Sequence, residues 1–351
     1  MSYEDAVAAM NLQMPRRVPR TEYSVNMHWE LLKTVTGIDV TADSPADVKG
    51  EAALAMDRAW DMGFFWSVLI GGGEIPRHTD MGHAAYMAGG VDYHAAGKEA
   101  FTDPDEVLNF DPVAQFGIKD HQTLVRRFEE HYASNVKSRP FGVNMTGVYV
   151  TLISGLIDML GWDMLLLAAG TDPKRFGDMT NRYARWVQQY FDAIADSNVP
   201  YVMVHDDIVW SSGAFLHPDW YRQYVFPNHK RYFDPLRQAG KKIIFTSDGG
   251  FTEFIDDIVA TGVDGLVMEP MTSLEYAAEK YGQKLVLIGN ADTRILLRND
   301  KPAIRAEVER CMAAGKKCPG FFMAVGNHIP PNTPVDACLY YNQLYMDMRE
   351  R

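Results

Sequence analysis

The feature that most constrains the fold is a recurrence: eight times along the chain a short apolar run is followed by a stretch with helical patterning. The runs occupy residues 18–24, 64–70, 140–146, 201–205, 242–247, 265–269, 284–290 and 321–325. Most are apolar almost throughout rather than alternating, which is how strands covered on both faces read. Helical patterns lie between them, among others at 172–197, with Pro173 in the first turn, at 217–239 and at 302–315. Gly240, Gly262, Gly282 and Pro319-Gly320 precede the fifth to eighth runs and suit helix-to-strand turns. The pattern predicts an α/β fold, a closed (β/α)8 TIM barrel, as one domain over residues 1–351. An open doubly wound sheet is the alternative, but no run leads into a G-x-G-x-x-G loop or a P-loop, and Gly71-Gly72-Gly73 reads as a permissive turn. At 351 residues, 47% of them hydrophobic, the chain can fill one large core. The apolar stretch at 148–167 is interrupted by Ser154, Asp158 and Asp163, so it reads as a buried helix rather than a membrane span.

Residues 71–113 are too long for a plain connection and read as an insertion after the second strand. They carry Arg77, His78, Asp80, His83, Tyr86, Asp92, Tyr93 and His94. On the catalytic face such an excursion is expected to form a lid or a substrate wall, with Tyr86 toward the substrate; a surface hairpin is the plainer reading. Lys plus Arg number 34 against 46 for Asp plus Glu, a net charge of −12. That charge repels phosphate backbones and anionic lipid, so neither nucleic acid nor a membrane surface is an expected partner. Three cysteines and no signal-peptide pattern point to a reduced, cytoplasmic setting. Cys311 and Cys318 match none of the common zinc spacings and read as ordinary thiols.

In a barrel the polar groups that end the strands converge on one mouth. The fourth run ends in His205-Asp206-Asp207, the fifth in Thr246-Ser247-Asp248, the sixth in Glu269, the seventh in Asn290-Ala291-Asp292 and the eighth leads to Asn327-His328. Four successive strands thus deliver carboxylates to one place, which is costly without a cation, a shared proton or hydrogen bonds. Asp207, Asp248, His328 and His205 are therefore the expected catalytic groups, although His205 could instead satisfy a hydrogen bond in the core. Asp248, Glu269 and His328 form an O/O/N set that could hold zinc with an open position. Tyr23, Asn26, His28, Asn144, Trp210, Met268 and Asn290, with Tyr86, are the expected substrate contacts.

The stretch "VMVHDDIVWSSGAFLHPDWYRQYVFPNHKRYFDPLRQAGKKIIFTSDGGFTEFIDDIVATGVDGLVMEP" at 202–270, with "LIGNADTRILL" at 287–297 and "RRVPRTEYS" at 16–24, resembles the uroporphyrinogen decarboxylase superfamily. The decarboxylases themselves grip a many-carboxylate porphyrinogen with an Arg-bearing N-terminal segment. Here Pro19-Arg20-Thr21-Glu22-Tyr23 departs from that pattern, although Arg16, Arg17 and Arg20 keep the reading open. The corrinoid-dependent methyltransferases of the superfamily carry a fifth-strand His-x-Cys; here Thr246-Ser247-Asp248 stands in its place. The chain resembles the first methyltransferase of anaerobic O-demethylase systems. That resemblance implies methyl transfer from an aryl methyl ether such as vanillate, guaiacol or veratrole to Co(I) of a separate corrinoid protein. The cobalamin would arrive on that partner, since the chain has no D-x-H-x-x-G motif. The resemblance also implies zinc in some members and a homodimer. The remaining readings are passage of methyl from the corrinoid protein to tetrahydrofolate or another acceptor, tetrapyrrole decarboxylation, and a ligand-binding barrel without chemistry.

Overall fold

A computed structural model of the chain describes residues 2–80, 85–86, 92–93 and 98–351. Six parallel strands form a continuous sheet in the order Phe321–Phe322, Val286–Gly289, Gly265–Met268, Lys242–Ser247, Tyr201–His205 and Thr146–Val148. Their register is set by pairs such as Thr146 with Val202, Ile244 with Gly265, and Leu287 with Phe321. Just before Thr146–Val148, Val143–Asn144 pairs in parallel with Phe64–Phe65. The extended segment 18–23 closes the ring: Arg20 bridges Met62 on one side and Met323 on the other. The Thr21 N–H donates to Met323 O at 3.1 Å and the Gly63 N–H to Arg20 O at 2.9 Å. Eight positions joined in a circle make a TIM barrel, as the sequence pattern predicts.

The fourth and fifth runs appear as strands over the expected residues. Two others differ. The second run keeps ladder geometry only at Phe64–Phe65, because Ser67 turns out to accept from Asn135 (2.8 Å) and bond His131 (2.6 Å) on helix His121–Ser138. The chain rejoins its neighbour where Ile70 bridges Val148. The third strand starts late, at Val143, because 139–142 form a turn closed by the Gly142 N–H on Arg139 O.

Two cores result. Phe64, Val143, Met145, Met203, Ile244, Val267, Ile288 and Phe322 fill the barrel, and Ala6, Ala9 and Met10 of helix Ser2–Met10 join them at the end where the strands begin. The larger core lies between the strands and the surrounding helices. Helix Pro173–Asp196 shows how the sequence builds that layer. Asp172 caps it by accepting from the Lys174 and Arg175 amides, and Pro173 sits where no N–H is needed. Phe176, Tyr183, Trp186, Tyr190 and Ile194 recur at helical spacing on its buried face, each burial worth roughly 1.5–3 kcal/mol. The pattern at 217–239 splits into Pro218–Tyr224 and Phe226–Gln238, since Pro227 has no N–H to carry the helix through.

Ile153–Thr171 is long and apolar enough to cross a membrane by composition, but it is mostly buried against its neighbours, as expected of a core helix. Cys311, Cys318 and Cys338 are free and buried. Within the insertion, Ala85–Tyr86 and Asp92–Tyr93 form an antiparallel hairpin, and Pro104–Asn109 and Pro112–Phe116 are helical. Arg77 lies 3.6 Å from the Phe101 ring centroid and pairs with Glu106, so it anchors the insertion. His83, His94 and the side chain expected to face the substrate, that of Tyr86, lie outside the described residues.

Candidate active site

Strand parity decides which side chains reach the mouth. On Tyr201–His205 the inner core takes Met203, so His205 also points inward and Asp206 outward. On Lys242–Ser247 it takes Ile244, so Thr246 points inward, and Asp248 follows just past the strand end. A cavity of about 400 Å³ opens over this layer, lined by Tyr23, Asn26, Phe64, Trp66, Tyr149, Met203, His205, Thr246, Asp248, Asn327 and His328, with Glu22, Asp57 and Arg139 also on its wall. That volume lies within the range of small-molecule sites. The Tyr23 and Trp66 rings are 4.6 Å apart, and the Tyr149 ring lies 3.8 Å from the His205 imidazole.

At the acidic side of the mouth, His205 Nε2 and Asp207 Oδ1 are 2.8 Å apart, and the same Oδ1 accepts the Asp248 N–H at 2.9 Å. The Asp207 N–H donates to Ser154 Oγ at 2.7 Å. Gly249, at φ +85°, makes the turn that follows Asp248, and a Cβ there would lie 2.7 Å from Trp210 O. Burial, then the Asp207 and Glu269 carboxylates, holds the Asp248 carboxyl well above the usual carboxylate range, against the pull of His205. Burial works against charge on His205, but the Asp207 carboxylate outweighs it and raises the imidazole's pKa. Burial, with His205 nearby, lowers His328 to about 4, so that imidazole is neutral near pH 7. Asp158, on helix Ile153–Thr171, is pushed up to about 7 by burial and by Asp207.

Of the expected catalytic groups, His205, Asp248 and His328 line the cavity and Asp207 bonds to the first two. Of the expected substrate contacts, Tyr23 and Asn26 line it. Five others are corrected by their surroundings, and the Tyr86 side chain lies outside the described residues. His28 caps helix Trp29–Thr36, accepting the Leu31 N–H on Nδ1, while Nε2 bonds Thr333 O. Asn144 turns away and donates to the Arg139 and Gly142 carbonyls. Met268 has the opposite parity to Val267 and packs in the outer core. Asn290 donates to the Glu269 and Thr272 carbonyls and accepts from Arg310. Trp210 is 43% exposed, packed on Trp162 and Phe215 outside the cavity wall.

The expected metal set does not assemble either. Glu269 accepts the Gly249 N–H at 2.6 Å and the Asn327 amide. Among the described residues, the group whose ligand atoms come within 4.8 Å of one another is His205, Asp207 and Asp248; one nitrogen and two oxygens could hold a divalent cation. Sequence reasoning listed Thr246 without giving it a role, read Asp158 only as a break in an apolar stretch, and left Trp66 and Tyr149 out of the expected site. Inward parity at Val143 and Met145 leads to Tyr149, and Asp158 is one of two acids, with Asp163, in an apolar helix.

The family model for uroporphyrinogen decarboxylase (URO-D) matches residues 136–341, more than half of the chain. Curated relatives include the uroporphyrinogen decarboxylases of Carboxydothermus hydrogenoformans, 27% identical over 169 residues (48% of this chain, 46% of that one), and of Thermus thermophilus, 32% identical over 160 residues (46% and 45%). The chain thus spans about half the length of the curated relatives it matches. Among solved structures, a methyltransferase from Methanosarcina mazei superposes with a TM-score of 0.66 at 14% identity, covering 99% of this chain and 98% of that one; the likeness is one of fold. With its barrel closed and the family match spanning the third to eighth strands, the chain belongs to the uroporphyrinogen decarboxylase family.

Proposed function

We propose that this protein is a methyltransferase that takes the methyl group of a small methoxylated aromatic and passes it to Co(I) of a separate corrinoid protein. The observation that carries the reading is a buried carboxyl, Asp248, with its pKa well above the ordinary range, on the wall of a cavity lined by Tyr23, Trp66 and Tyr149. A reduced cobalt centre brought by the partner supplies the nucleophile that receives the methyl group. The remaining difficulty is the leaving group, since phenolate departs poorly unless its oxygen is protonated as the bond breaks. Burial and the neighbouring carboxylates favour the protonated form of Asp248, which can give its proton to that oxygen and end as a carboxylate beside His205. Asp207 orients His205 and, through the Asp248 N–H, the acid itself. Zinc held by His205, Asp207 and Asp248 would supply a Lewis acid for the same oxygen.

The decarboxylase reading, suggested by the relatives' names, calls for cations to meet the substrate's carboxylates. Arg20 is sealed away from the cavity, stacked within 4.1–5.0 Å of the Trp60, Tyr341 and Tyr345 rings. Arg139, the one Lys or Arg on the cavity wall among the described residues, already pairs with Asp57 at 2.7 Å. Incubation with guaiacol and a reduced corrinoid protein, followed by chromatography, should reveal catechol. Release of the corresponding phenol from none of a panel of methoxyarenes would end the proposal.

A further inference from the structure

The charges around the cavity are unequal in a way that bears on its ligand. Arg139 is spent on Asp57, and its guanidinium lies 5.2 Å from the Phe65 ring centroid. Glu22 is held by Arg20 and by the Tyr341 hydroxyl. His205 is matched to Asp207. Among the described residues no basic side chain forms an ion pair with Asp248 or Glu269. An incoming anion would lose its water and meet acids, with no unpaired Lys or Arg among the described residues of the wall in return. A neutral ring loses little, and a cation gains from the aromatic faces of Tyr23, Trp66 and Tyr149. The cavity is also furnished for a polar ligand: Thr246, 6% exposed, lines it with a hydroxyl that has no hydrogen-bond partner, as do the buried Tyr23 hydroxyl and Asn26 Oδ1.

We propose that this cavity selects its aromatic ligand by charge, accepting rings that are uncharged or carry a cationic substituent and turning away aromatic carboxylates. The inference rests on the methyl-donor reading and narrows it, placing guaiacol and veratrole among the accepted donors and vanillate among the excluded ones.

Three probes of similar size separate the cases: phenyltrimethylammonium, anisole and benzoate, titrated by calorimetry into the full chain at pH 7 without a corrinoid partner. Phenyltrimethylammonium and anisole should bind, and benzoate should bind at least about tenfold more weakly than either. Benzoate binding as tightly as anisole, or no binding by any probe at millimolar concentration, would overturn the proposal. The Trp66→Leu protein removes one aromatic face from the cavity wall; it should lose about tenfold for phenyltrimethylammonium and less for anisole. Unchanged cation affinity would mean the cation sits elsewhere, which also overturns it. The two readings fail separately. Catechol released from guaiacol alongside tight benzoate binding leaves methyl transfer standing and removes charge selection. The expected probe order with no catechol does the reverse.

Discussion

The barrel buries ionisable groups in two places and treats them in opposite ways. At the seam between the first and eighth positions, Arg20 and Glu22 are both fully covered. The Glu22 carboxylate accepts from Arg20 at 2.9 Å, from Tyr341 at 2.9 Å and from the Val325 N–H at 3.0 Å. At the mouth, Asp248 has a long contact from Asn327 at 3.4 Å and two carboxylates for neighbours. The first arrangement satisfies its charges and holds the structure together. The second leaves an acid short of partners, and that shortage gives it a proton to donate.

The difference can be broken first at the seam. Arg20→Ala would strand a covered carboxylate and should cost about 3–5 kcal/mol in urea denaturation; a loss under about 1 kcal/mol would show that the rings, not the ion pair, hold the seam. At the mouth the effect should fall on rate instead. Asp248→Asn should lower catechol release about a hundredfold or more while leaving the denaturation midpoint equal or higher. A variant that turned over at full rate would remove Asp248 from the chemistry.

The neighbours Asp206 and Asp207 repeat the contrast within one strand end. Asp206 faces outward, accepts the Leu152 and Ser154 amides at the start of helix Ile153–Thr171, and bonds His229 at 2.7 Å. Asp206→Ala should therefore cost about 1–3 kcal/mol of stability, whereas Asp207→Asn should cost rate. Equal stability losses in the two variants would erase the distinction.

The smallest effect is on pH dependence. Asp158 titrates near 7 in the folded protein against 3.8 for a free carboxyl, so the folded state binds the extra proton between those values. Stability should therefore fall as pH rises, by roughly 1.4 kcal/mol from pH 6 to 8. His205 acts in the same direction: its raised pKa adds stability below its unfolded value that is lost as pH passes the folded one. Asp158→Asn should flatten most of this slope in thermal melts. An unchanged slope would place the proton on another group.

The sequence was most legible where strands are regular. Tyr201–His205 and Lys242–Ser247 hold the expected residues, and the acids that follow them reach the mouth. Legibility failed where direction depends on register or on distant partners. Met268 and Glu269 are consecutive, yet Met268 belongs to the outer core while Glu269 reaches back to the Gly249 amide. His28 looks like a site residue until the helix it caps is seen. Arg20 could not be placed from its neighbours in sequence, because the rings that enclose it come from residues 60, 341 and 345.

That enclosure bears on how the chain is made. Arg20 reaches Asn342, Glu22 reaches Tyr341, and Val18 O accepts from Tyr345, contacts spanning 322, 319 and 327 residues. As the chain leaves the ribosome, the first stave must wait, its charges still in water, until residues 341–345 have been synthesised. A nascent chain halted near residue 330 should consequently keep an open barrel edge and depend on chaperones, and release of helix Val335–Met348 should be the event that locks the cylinder.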